Sequence, residues 1–333
     1  MRFLLALHLW LLIAAAADAK PFCPWSSPSF WKEAWVRDIR RCLGDGIDVD
    51  GRGLFGRTPL HYASSLSNVR VVRLLIDAGA EIDALNQDGM TPLHMAALFG
   101  NAGPLRALID AGADIDARAD LVLELEGESG LRDWTSLHFA AGSDSARNVQ
   151  ILVEAGVAVD TRKEGGDTPL HVAARNHRDR AARALIDAGA VMEARDEEGR
   201  TALHIAAEWG ATKIVRDLTE AGAEVDAKDH RGDTPLLAAT RSKYFGGDSG
   251  TIRQLIEIDE NSELNLFVSL AWMQLAAQRR HDAPGTVRVL LDAGADPTQR
   301  AYDGSLAADL AERNEELRDD PVFRELDEAR PQR

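Results

Sequence analysis

TPLHMAA, residues 91–97, is written again and again along the chain: TPLHYAS from Thr58, TSLHFAA from Thr135, TPLHVAA from Thr168 and TALHIAA from Thr201. TPLLAAT, from Thr234, is a sixth copy without the histidine. The opening threonines stand 33, 44, 33, 33 and 33 residues apart. A fixed period of this size marks stacked supersecondary units, each too small to bury its own apolar face. His61, His94, His138, His171 and His204 all fall inside the phrase. They are either a reactive group copied five times or one structural part.

The residue types within a unit predict two helices. Threonine suits an N-cap and proline the first helical turn, where its missing N–H costs no bond. Pairs such as Ala96-Ala97 keep this first helix thin, so that neighbouring units can approach closely. A second helix follows with apolar residues at helical spacing, as in Val71, Val72, Leu74, Leu75 and Ile76. Gly79, Gly112, Gly156, Gly189 and Gly222 then stand where a left-handed C-cap is needed.

Five such phrases in register, each followed by a helix and a turn of the A-G-A-x-x-D kind, resemble the ankyrin repeat over most of the chain. The resemblance implies an all-α solenoid of stacked helix-turn-helix-hairpin units, with N- and C-terminal caps. It also implies that each histidine hydrogen-bonds locally, tying a helix start to a neighbouring turn. Packed helices lie about 8–10 Å apart, whereas metal–nitrogen bonds are about 2.0–2.1 Å, so equivalent histidines of adjacent units cannot share an ion. No catalytic residue, cofactor or metal is expected.

The chain divides accordingly. Residues 1–19 read as a signal peptide: Arg2, an apolar run from Phe3 to Ala17, and the small-residue site Ala17-Asp18-Ala19. Residues 20–57 read as an arm and a capping half-repeat. Cys23 and Cys42 are the two cysteines of an exported chain and are expected to form a disulfide. The repeats span 58–305, with a finger insertion at 118–134 around LVLELEGESG and a degenerate stretch at 241–285, where AWMQLAA (271–277) reads as the opening of a seventh unit. Residues 306–333 form a C-terminal capping repeat and tail.

A net charge of −16 disfavours nucleic acid and anionic lipid as partners, and no membrane insertion is expected once the signal is removed. GDSG at 247–250 places Ser249 in a protease-like tetrapeptide, but the surroundings are helical and the repeat histidines are already committed, so a hydrolase is the least favoured reading. DVDG at 48–51 fails as a calcium loop, because Gly46 and Arg57 occupy its ligand positions.

The remaining reading is a non-enzymatic, monomeric module that binds a partner protein along its concave face and hairpin fingers. The variable positions just before each threonine and just after each alanine pair select Met90, Leu98, Phe99, Trp134, Arg175, Trp209 and Arg241. Met90, Leu98, Phe99 and Trp134 are expected to form an exposed apolar patch, where binding energy tends to concentrate. Asp83, Asp116, Asp160, Glu193 and Asp226 form an acidic hairpin row, read mainly as solvation. The periplasm is the expected compartment; a secreted protein acting on a host target is the alternative.

Overall fold

The computed structural model describes residues 36–121, 131–241 and 282–331. Helices alternate between two layers. The first-helix layer holds α2 (Pro59–Ser65), α4 (Pro92–Leu98), α6 (Ser136–Gly142), α8 (Pro169–Arg175), α10 (Ala202–Glu208) and α12 (Pro235–Arg241). The second-helix layer holds α1 (Val36–Gly44), α3 (Val69–Asp77), α5 (Ala102–Asp110), α7 (Ala146–Glu154), α9 (Asp179–Asp187), α11 (Thr212–Glu220) and α13 (Ala283–Asp292). Each helix packs on the next member of its own layer and on its partner in the other. The stack closes on α14 (Ala307–Ala311), α15 (Glu315–Arg318) and α16 (Val322–Glu328).

The core runs along the seam between the layers. Ala96, Ala97, Ala140, Ala141, Ala206 and Ala207 are wholly buried, which sets the close approach of the first helices. Leu75, Leu108, Leu152, Leu185 and Leu218 close the seam from the second layer. Each fully buried leucine contributes roughly 1.5–3 kcal/mol. The five C-cap glycines have φ between +84° and +95°, so the second helices end as the sequence predicts. At the N-terminal end, Ile39 and Cys42 of α1 are buried against the first full unit, as a cap requires. Cys23 lies outside the described residues.

The insertion lengthens one hairpin into an antiparallel pair, β1 (Arg118–Leu121) and β2 (Leu131–Thr135), with Ala119 opposite Trp134. Residues 122–130, with most of the alternating stretch, lie outside the described region.

The sixth unit departs from the sequence reading. Helix α12 takes as its second-layer partner α13, which begins at Ala283. The hydrogen bond that elsewhere links adjacent units across 31 positions spans 70 here, from Asp296 N–H to Asp226 Oδ1. Thr212 Oγ1 of the preceding unit likewise reaches Asp282 and Thr286. Some 39 additional residues, the difference between those spans, are therefore inserted between the two helices of one unit. Of the degenerate stretch 241–285, residues 242–281 lie outside the described residues. LLDAGADP (290–297) completes the unit that Thr234 opens, because α13 supplies the apolar face that α11 and α12 must bury against. Ser249 and AWMQLAA fall within this insertion, outside the described residues.

Candidate protein-binding face

The repeated histidines occupy the joints between units. In each copy the threonine N–H donates to the imidazole Nδ1 three residues on, at 3.0–3.3 Å. That bond fixes the neutral tautomer with its proton on Nε2. Nε2–H then donates to a carbonyl of the following turn: Met90 (2.9 Å), Ala117 (3.0 Å), Asp167 (3.2 Å), Arg200 (3.1 Å) and Asp233 (3.0 Å). Burial pushes the imidazoles well below their ordinary range, to about 4 for His61, His94 and His204 and about 3 for His138. For His171 the shift is also downward, with Asp167 opposing it. Both nitrogens of each ring are engaged and neither is left for a substrate. Among the described residues no group of three or more His, Cys, Asp or Glu side chains is placed to hold a metal ion. Nor is any described helix long and apolar enough to cross a membrane.

The acidic hairpin row has a structural use that sequence reasoning missed. The side chains of Asp50, Asp83, Asp160, Glu193 and Asp226 accept the backbone N–H of the next unit's Glu81, Asp114, Val191, Glu224 and Asp296, at 2.9–3.0 Å. The signal was available: a carboxylate recurs at one register, where solvation alone would tolerate any polar residue. Asp116, beside the inserted finger, makes no such rung.

The variable positions pair across each unit, eight residues apart, and the two ends of the stack pair differently. In the C-terminal half they are ion pairs. Arg175 Nη2 donates to both oxygens of Asp167 at 3.1 Å, and Lys163 Nζ reaches the same carboxylate at 2.9 Å. Arg200 joins Asp196 (2.9 Å), Glu198 (3.1 Å) and Glu208 (3.3 Å). Arg241 joins Asp233 (2.9 Å) and Asp303 (3.2 Å). Burial would raise the Asp167 carboxyl, but its two cations outweigh burial and hold it below the usual range. Asp233 goes the other way: burial dominates, because its one arginine is shared with Asp303.

Between α4 and α6 the corresponding positions are apolar and closed. Met90, Leu98 and Trp134 are 0%, 4% and 3% exposed. Trp134 packs 5.1 Å from the Phe139 ring and 5.8 Å from His138. The expected exposed patch of Met90, Leu98, Phe99 and Trp134 is thus corrected. Three of the four are core, because the thin alanine helices let the unit-to-unit gap close over them. Phe99 and Trp209 stay half-buried at the ends of α4 and α10, as do Arg175 and Arg241. Leu66, at the corresponding end of α2, is 40% exposed.

With this geometry in view, a family model described as "Ankyrin repeats (3 copies)" matches residues 37–119, 120–196, 137–229 and 185–266. The human ASB11 ankyrin repeat domain is similar in structure, with a TM-score of 0.59 at 22% identity, covering 83% of this chain and all of that one. The ankyrin repeat domain of Bcl-3, described as a unique member of the IkappaB protein family, gives a TM-score of 0.51 at 32% identity. That match covers 61% of this chain and 86% of that one. No curated protein sequence matches the chain.

Proposed function

The chain belongs to the ankyrin-repeat family of protein-interaction scaffolds, and from that premise we propose a non-enzymatic, exported module that holds a partner protein along its first-helix face. The observation that carries this reading is the ladder of ion pairs Asp167–Arg175, Arg200–Glu208 and Asp233–Arg241, whose arginines stay partly exposed over buried Asp167 and Asp233, with Phe99 and Trp209 half-buried in the same layer. An ion pair that remains accessible can exchange one of its own partners for a matching charge on another protein, and a half-buried aromatic beside it supplies desolvated contact area. The signal-like residues 1–19 support export, with the periplasm as destination, and an exported chain supports a Cys23–Cys42 bridge.

The test is affinity capture by the full-length mature chain from the envelope fraction of the producing cell. A captured protein should be lost with Arg175→Ala/Arg241→Ala and kept with Arg183→Ala, which lies on the second-helix layer. Equal capture by both variants removes the ladder as the binding site. Thiol labelling without reductant should find neither cysteine; two labelled thiols refute the bridge.

A further inference from the structure

The second-helix layer carries basic residues in two columns, at the second and fifth positions of its helices: Arg37 and Arg40 on α1, Arg70 and Arg73 on α3, Arg180 and Arg183 on α9. Residues three apart on a helix share a face, so the two arginines of each helix lie side by side; α1 and α3 are adjacent, whereas Gly103 on α5 and Gln150 on α7 interrupt the columns before α9. These arginines are exposed, on a chain whose net charge is −16. The first-turn members oppose the helix dipole, so helix stability does not account for their position.

The two halves of this layer differ in what meets most of the cations, although Arg106 on α5 is paired with Glu154 of α7 at 3.1 Å and the exposed Arg216 on α11 has no carboxylate within ion-pair distance among the described residues. Toward the C-terminus the protein supplies its own carboxylates from neighbouring units: Arg180 to Asp144 at 2.9 Å, Arg183 to Asp217 at 3.1 Å, Lys213 to Asp179 at 3.3 Å, Arg288 to Glu325 at 3.0 Å. Toward the N-terminus, Arg40, Arg70 and Arg73 have no carboxylate within ion-pair distance among the described residues. Arg37 meets only Asp38 of its own helix, at 3.7 Å.

We propose that this N-terminal face of α1 and α3 is a second docking surface, separate from the first-helix face, and that its occupant is an extended acidic polypeptide segment of a partner. The C-terminal half shows the chemistry that satisfies these columns, which is carboxylate arriving from an adjoining polypeptide. A linear segment fits better than an anionic plane. Asp77 closes α3, and Asp110, Glu154 and Asp187 close α5, α7 and α9 of the same layer, an acidic row that a flat anionic surface would also have to approach.

The probe is a fluorescently labelled polyglutamate peptide titrated into the full-length mature chain at low and high salt. Salt-sensitive binding is expected, weakened about tenfold or more by Arg70→Ala/Arg73→Ala and changed less than about twofold by Arg183→Ala/Arg288→Ala. Absence of binding, or equal weakening by the two pairs, overturns the proposal. So does binding of phosphatidylglycerol vesicles through Arg70 and Arg73 when polyglutamate is not bound.

Discussion

The two halves of the first-helix face are built on one backbone and stabilised by different physics. Between α4 and α6 the variable positions are Met90, Leu98 and Trp134, removed from water and locked against Phe139. Between α8 and α12 the same register holds Asp167, Arg175, Arg200, Glu208, Asp233 and Arg241, paired and partly wet. An apolar joint gains by excluding solvent and has nothing left to offer a partner. A charged joint sets partly exposed arginines over buried carboxylates, so it stabilises by neutralising those carboxylates while the outer side of each guanidinium stays available for exchange. Only the charged joints keep groups available for recognition.

The largest effect expected is collective. The folded imidazoles lie below the unfolded value near 6.5, so the unfolded chain takes up protons first as the pH falls. Their contribution is fully present above about pH 6.5 and drains away as the pH falls towards about 4, a loss of roughly several kcal/mol over the set. His138 is pushed lowest, whereas Asp167 partly protects His171. Amide hydrogen exchange in α2, α4, α6 and α10 should therefore lose protection between pH 7 and pH 5; unchanged protection would refute the buried neutral imidazoles as the source of this stability.

Next in size, Phe139→Ala should cost about 3–5 kcal/mol in chemical denaturation, since it empties a sealed aromatic joint. Arg200→Ala should cost less, about 1–3 kcal/mol, by leaving the Asp196 carboxylate, whose side chain is 0% exposed, without its cation. The arginine change should respond to salt and the phenylalanine change should not. If both respond alike, the two joints are not physically distinct. The smallest effect separates rungs. Asp83→Ala removes a carboxylate that accepts Asp114 N–H at 3.0 Å and should cost about 1 kcal/mol. Asp116→Ala removes no rung and should stay within about 0.5 kcal/mol.

Period and residue type were enough to read the helices and the glycine caps, and the family resemblance supplied the task of the histidines, because each depends on contacts within a unit or with an identical neighbour. They also located the variable positions that face outward in the family. What they could not give was the fate of those positions. Trp134 and Met90 look like binding residues in one dimension, and only the closeness of neighbouring alanine helices decides that they are covered. Arg175 and Asp167 gave no sign of pairing, since their meeting depends on the hairpin folding back over α8.

The sequence by itself determined a solenoid of like units, because a repeat of 33 residues fixes the local structure and its neighbour together. Only the tertiary structure decided which unit owns α13, since degenerate sequence carries no register and a bond spanning 70 positions does. Only packing decided which half of the face is sealed and which is charged, for burial belongs to the distance between helices and not to any residue alone.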